Sequence, residues 1–391
     1  PRQEVSVSAG LVVMGCGTRY GSSVRVGSQC LADALAAMDW RIAYFSNPVS
    51  PLHLLACRDR EVRQRIRAGF QPWKRHGSII STVPVALLAP RRLPLLSSPW
   101  LARNWQRLAL PPGPRSRLRR AGVKQCDLLY VDSPLFAFLA DEVPHRRLVY
   151  RMADVLTAFP GVSPALAELE SDLVRRAHVA VASSAALVER AQRLGARRSV
   201  LLPNGVETER FRIPRPPPPE YAWIPTPRAV FVGSLGEWFD HQSVTALARA
   251  RPDLSVVIIG AGPALSKLPR LPNLFLLGSR VPDDVPAFLQ HAAVGLIPFA
   301  VERHRELIEA AHPVKLFEYL AAGLPVAAAR WRTLVELSAP ATILAEPGDF
   351  TAAVAQALAC KPDTERVASF LAGRSWAARA TDLLAACALP A

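Results

Sequence analysis

Lys315 and Glu318 stand three residues apart in His312-Pro-Val-Lys-Leu-Phe-Glu-Tyr-Leu-Ala-Ala-Gly-Leu-Pro-Val326. On a helix that spacing puts both side chains on one face. Pro313 suits a helix's first turn, where a missing N–H costs nothing, and Gly323 closes the helix at a position that wants positive φ. The unpaired N–H groups of a helix start attract phosphate, so Pro313 and Val314 mark an anion-facing end. Lys315 can neutralise a diphosphate there, and Glu318 can accept hydrogen bonds from two ribose hydroxyls. The competing reading is a surface helix with an i,i+3 ion pair.

A second candidate is Tyr150-Arg-Met-Ala-Asp154, an apolar strand that ends in a carboxylate. Asp154 can take a proton from a hydroxyl nucleophile; the alternative is a helix N-cap aspartate. Asp132 and Asp240, each at the end of a strand or motif, compete with it. Gly15-Cys-Gly-Thr-Arg-Tyr-Gly21 follows the first apolar run and permits a tight loop. Gly17, Arg19, Tyr20 and, from the second candidate, Arg151 are the residues expected at a substrate, with an ordinary strand-to-helix turn as the alternative. Gly260-Ala-Gly262 lacks the third glycine of a dinucleotide fingerprint and reads as a tight strand exit. The six cysteines form no Cys-x-x-Cys pair and no zinc-spaced cluster, so neither a metal nor a cofactor is expected.

These residues need a frame that delivers strand ends to one edge. Short Val-, Ile- and Leu-rich runs alternate with helical patterns along nearly the whole chain, which predicts α/β architecture with parallel, doubly covered sheets. Strands are expected at 11–14, 41–45, 78–83, 127–131, 148–151, 179–182 and 199–202. After a proline-rich stretch the pattern restarts, with strands at 229–232, 254–259, 274–277, 294–297 and 325–328. Proline fixes φ and donates no hydrogen bond, so 212–228 reads as a stiff linker. The expected organisation is a Rossmann-like domain over 1–211, the linker, a second Rossmann-like domain over 229–373, and a closing helix over 374–391.

Charge is uneven. The chain carries a formal net charge of +15, and sixteen basic residues between 58 and 124 face only Asp59 and Glu61. Half the residues are apolar, which excludes a disordered polycation. Within 87–120, arginines interleave with leucines and two tryptophans. Trp side chains favour the bilayer interface and arginines attract anionic headgroups. Arg91, Arg92, Trp100, Arg103, Trp105 and Arg107 are therefore expected at a membrane surface, the alternative being a helical hairpin with a solvated basic face. No apolar run approaches the ~20 residues of a spanning helix.

The 312–326 string resembles the nucleotide-sugar site of GT-B fold glycosyltransferases, those of family 4 and of the bacterial exopolysaccharide branch that includes the xanthan glucuronosyltransferase. Gly233-Ser-Leu-Gly-Glu-Trp-Phe-Asp240 is similar to the loop after the first strand of their C-terminal domain. Pro203-Asn-Gly-Val206 resembles the exit from their N-terminal domain, and Ser375-Trp376 the start of their final helix, which crosses back to that domain. The resemblance implies two tandem Rossmann-like domains with a cleft between them. It implies that Glu318 binds the donor ribose, Lys315 the diphosphate, Gly233 and Ser234 the diphosphate through their backbone, and Arg280 and Val281 the base. It also matches Asp154 to an aspartate in Tyr-Arg-x-x-Asp. The sequence departs from the retaining Glu-x7-Glu pattern: Ala310 stands eight before Glu318, with Glu309 one residue off register.

The expected activity is transfer of a hexosyl or glucuronosyl group from a UDP-sugar to a lipid-linked or polysaccharide-precursor acceptor, without a metal. The expected place is the cytoplasmic face of the inner membrane, bound peripherally, with no nucleic-acid partner. Two other readings stay open from the residues: a nucleotide-sugar epimerase on the same fold, and a basic nucleic-acid-binding protein supported by charge alone.

Overall fold

The structure is a computed structural model that describes residues 9–22, 27–56, 60–71, 73–91, 93, 96–159 and 162–390. It divides into two compact units, 1–203 with 376–391, and 204–375.

The first unit is built on eight strands: β1 (Gly10–Cys16), β2 (Trp40–Ser46), β3 (Lys74–His76), β4 (Ile79–Thr82), β5 (Cys126–Val131), β6 (His145–Met152), β7 (Val179–Ala182) and β8 (Ser199–Leu201). Their order is β3-β4-β2-β1-β5-β6-β7-β8. All pairings are parallel except β3 with β4. The central strands are covered on both faces, which explains their unbroken apolar runs. Val12, Val13, Leu128, Leu129 and Val149 are all fully buried. The helix Trp376–Ala386 returns to this unit, where Leu383 and Leu384 join Leu31 and Leu35 of the helix Gly27–Ala37 in one core. Arg147 Nε donates to Cys387 O at 2.9 Å and Arg198 Nη1 to Ala386 O at 2.8 Å. Two cations thus satisfy carbonyls that the helix end leaves unpaired.

The second unit has six parallel strands: β9 (Arg228–Val232), β10 (Ser255–Ile259), β11 (Leu274–Gly278), β12 (Val294–Ile297), β13 (Val326–Ala329) and β14 (Thr342–Ala345). The order is β11-β10-β9-β12-β13-β14. Strand order reverses between β9 and β12, and in such sheets ligands bind beyond the carboxyl ends at that reversal.

The proline-rich stretch is not a linker. Residues 212–228 belong to the second unit. Tyr221 and Ile224 are buried there, Tyr221 Oη donates to Phe288 O at 3.0 Å, and the Arg228 guanidinium covers the Tyr221 ring at 4.3 Å. The buried aromatic and aliphatic anchors between the prolines hold the segment against the sheet. The unit boundaries fall at Pro203 and Ser375 instead.

Candidate active site

In the second unit, the helix Val314–Ala321 starts with Pro313 as its N-cap and carries Lys315 and Glu318 on one face. Tyr319, one turn after Lys315, points to the same strand end and is fully buried. Its hydroxyl accepts the Val232 N–H at 3.0 Å, at the last residue of β9. Its ring packs so closely on Gly295 of β12 that a side chain there would collide with it. The helix is therefore fixed at the reversal between β9 and β12. Its start is tied from another side, because the Asn204 side-chain amide donates to His312 O at 3.0 Å.

Gly233 leaves β9 with φ +152°, and a methyl group there would lie 2.6 Å from Lys315 Nζ and would strike its Cε. Glycine is required twice over, for the backbone angle and for the lysine above it. Gly260, at φ +151°, could carry no side chain because the Gly233 carbonyl occupies that space. The expected strand exit at 260–262 thus backs the Gly233 turn. Lys315 Nζ sits 5.6 Å from the Phe231 ring centroid. Burial lowers the lysine's proton affinity and Glu318 opposes that fall. Ser234 is exposed. Arg280 is committed to the protein, donating to Glu220 Oε1 at 2.6 Å and Leu277 O at 2.5 Å. Its turn can therefore offer a base its backbone and the exposed Val281, not a free guanidinium. Glu309 does not replace the missing glutamate: its carboxylate accepts the Arg332 N–H at 2.8 Å, and Ala310 is buried.

Three carboxylates, Asp132 and Asp154 of the first unit and Asp240 of the second, have different outcomes. Asp240 caps the helix His241–Ala250, accepting from Gln242 N at 3.1 Å and Ser243 N at 3.3 Å. Asp132 accepts from Gly17 N at 2.7 Å and from the Ser28 hydroxyl, which locks the turn after β1. Asp154, two residues beyond β6, accepts no hydrogen bond among the described residues. Its pKa is pushed up to about 6, chiefly by burial, with Arg151 pulling it down and Asp132 pushing it up.

The substrate residues read from the sequence meet mixed fates. Gly17 contributes its N–H to Asp132. Arg19 Nη2 donates to Gln64 Oε1 at 2.7 Å while the side chain stays half-buried. Tyr20 is structural: its hydroxyl bonds Asp33, and its ring packs 5.4 Å from Tyr44 and 5.1 Å from His76. Arg151 is not at a surface either, being only 3% exposed. β6 lies inside the sheet, so Tyr150 and Arg151 go to opposite covered faces. Tyr150 Oη donates to Glu170 at 3.0 Å, and Arg151 lies against Gly27.

Of the residues expected at a membrane, Trp105 is a core residue. It is fully buried, its Nε1 donates to Leu135 O at 2.7 Å, and Phe136 and Phe138 meet it edge-on. The short helix Pro99–Asn104 and the turn Trp105–Leu108 send the two tryptophans to opposite sides. Trp100 is 57% exposed, and Arg103 and Arg107 are exposed. Arg91 is half-buried and Arg92 lies outside the described residues. Leu54, Phe70, Leu87, Leu88, Leu93 and Leu110 of this unit are also exposed, and of these Leu87, Leu88, Leu93 and Leu110 fall within the segment singled out by sequence.

Comparison with known proteins agrees with this architecture. Residues 226–360 match the family described as glycosyl transferases group 1, and residues 14–182 match the N-terminal domain of the glucuronosyltransferase GumK. The fold is shared with sucrose-phosphate synthase of Thermosynechococcus elongatus (TM-score 0.68, 14% identity, 95% of this chain and 97% of that one). It is also shared with Anabaena HepE, whose structure holds UDP and glucose (TM-score 0.60, 16% identity, 96% and 98%). The fold is the GT-B fold, and each of the two units matches a glycosyltransferase domain family over part of the chain. The putative teichuronic acid biosynthesis glycosyltransferase TuaH of Bacillus subtilis is 26% identical over 225 residues, 53% of this chain. The match spans 56% of that relative's length, little more than half.

Proposed function

We propose that the chain transfers a hexosyl or glucuronosyl group from a UDP-sugar to a hydroxyl of a lipid-linked or polysaccharide-precursor acceptor, in the building of a bacterial surface glycan. The observation that carries this reading is Lys315 lying on Gly233 at the strand-order reversal, with Glu318 one helical turn on. A half-buried cation beside a bare backbone turn suits a diphosphate, and the carboxylate suits ribose hydroxyls.

The chemistry needs few parts. The acceptor oxygen attacks the anomeric carbon and its proton passes to Asp154. The bond from that carbon to the diphosphate oxygen breaks, and the nucleoside diphosphate leaves with its new charge neutralised by Lys315 and the first N–H groups of the Val314–Ala321 helix. Attack from the face opposite the leaving group inverts the anomeric centre. In this reading a metal ion is not required.

No helix among the described residues is long and apolar enough to cross a membrane. We place the protein peripherally at the cytoplasmic face of the inner membrane. Support comes from Trp100, Phe70, Leu87 and Leu88, all exposed on the unit that holds the excess arginines.

A donor screen tests the proposal: nucleotide release across UDP- and GDP-sugars, with and without a lipid-linked acceptor, and product anomer by NMR. Acceptor-dependent UDP release with an inverted product supports it. Interconversion of donor epimers without transfer would move the chain to the epimerases, and no turnover with any donor would reject both.

A further inference from the structure

Arg151 is a charge in a covered place. Burying a guanidinium is costly unless opposite charge lies near. Val131 pairs with Tyr150 across β5 and β6, so Asp132 follows β5 at the level where Arg151 sits on β6. On its far side the guanidinium meets Gly27, where a methyl group would lie 2.5 Å from Nη2. The first residue of the Gly27–Ala37 helix is thus bare where the arginine needs room. Asp132 cannot swing, since Gly17 N–H and the Ser28 hydroxyl hold its two oxygens.

The other titratable groups here do not share the charge. Cys16 ends β1 and Tyr130 lies on β5; burial raises both, so they stay neutral. On the opposite face of β6, Tyr150 bonds Glu170, and Glu170 is closed by Arg190 at 2.9 Å. Burial also raises the Asp132 carboxyl, while the Ser28 hydroxyl, the Gly17 N–H and Arg151 pull it back toward its charged form. The groups acting on Asp154 are therefore Arg151, which favours its charged form, and Asp132, whose charge opposes it.

We propose that Arg151 and Asp132 are positioning residues for Asp154: a buried guanidinium, seated against Gly27 and balanced by a fixed carboxylate, tunes how readily Asp154 takes the acceptor's proton. This rests on the reading of Asp154 as the base. Neither residue touches substrate. Their opposed charges predict opposed effects, which loss of packing does not produce.

The test is the pH dependence of kcat/KM, by nucleotide release, for the wild-type protein and four variants, with thermal unfolding run alongside. Arg151→Met should move the acidic limb to higher pH by about one unit, roughly a tenfold loss of activity below the limb. Gly27→Ala should move it the same way by displacing the guanidinium. Asp132→Asn should move it to lower pH. Arg151→Lys, which keeps the charge, should hold it near the original position. If Arg151→Met does not fold, the opposed shifts of Gly27→Ala and Asp132→Asn decide. Limbs that stay put, or that move together, overturn the inference. Asp154→Asn separates the two claims. Turnover retained in that variant would sink the base assignment itself, whereas an inactive variant beside unmoved limbs would sink only the tuning.

Discussion

Asp154→Asn should remove activity and make the protein more stable. The carboxyl is raised from its ordinary 3.8 to about 6 in the folded chain, mainly because burial disfavours its charge. In the unfolded chain it ionises near 3.8. Between those values the native state holds a proton that the unfolded state lacks, so wild-type stability falls as pH rises through the window. At about 1.36 kcal/mol per pH unit the cost reaches a ceiling of about 3 kcal/mol above pH 7. The group is partly open to solvent, so a loss of 1–3 kcal/mol is the working figure, at about the level of a single core truncation. Asparagine cannot ionise and escapes that cost. Urea unfolding at pH 7.5 and 4.5 should show the variant ahead at both, its advantage shrinking about threefold at the lower pH. Turnover should fall by about 10²–10⁴-fold, the usual contribution of a positioned base. A variant no more stable than wild type at pH 7.5, with a wild-type acidic limb near 4, would show an ordinary exposed carboxylate and refute the reasoning.

Three further outcomes follow from the same geometry. Lys315→Met should weaken UDP binding by roughly 30-fold, about 2 kcal/mol, after solvent offsets part of the direct charge interaction; calorimetry showing equal affinity would move the diphosphate elsewhere. EDTA should leave the transfer rate within about twofold, because a lysine and helix N–H groups supply the positive field; activity lost in chelator and restored by magnesium would assign that role to a cation. Trp100→Ser should reduce flotation with anionic vesicles while leaving the melting temperature near wild type. Trp105→Ser should do the reverse, losing about 3–5 kcal/mol of stability as a buried indole is emptied out, and identical behaviour of the pair would contradict their opposite placement.

The sheets were legible because central parallel strands are covered on both faces and must be written as apolar runs. β3 was not, since Lys74-Arg-His76 is an edge strand with no face to bury and its register comes from the turn at Gly77. The proline-rich stretch misled for a related reason. Proline excludes helix and central strand, but it does not exclude packing, and Tyr221 and Ile224 between the prolines were the signal that the segment was anchored. Spacing predicted that Lys315 and Glu318 share a helix, and the structure places both on Val314–Ala321. It could not find Gly27 or Tyr319, whose roles depend on partners far away in sequence: Arg151 for the first, Val232 and Gly295 for the second. Trp105 and Arg151 failed in the same way. Each was read by type, an interfacial tryptophan and a substrate arginine, while three-dimensional packing gave each a covered face.

The position of Ala310 ties these points to the proposed stereochemistry. A carboxylate eight residues before Glu318 would place a second acid on the second unit, and the sequence offers Glu309 only one residue away. One residue on a helix is a rotation of about 100°, and Glu309 accordingly turns to the Arg332 N–H while Ala310 turns inward. Restoring the pattern would take more than a rotamer change, since it would strip the Arg332 N–H of its partner and push a charge into a buried position. The first unit, by contrast, holds a raised carboxylate free of hydrogen bonds among the described residues and backed by an opposed pair of buried charges. Those two facts are independent, one an absence on the second unit and one a raised carboxyl on the first. In the proposed mechanism both favour Asp154 as the proton acceptor, which inversion at the anomeric carbon requires.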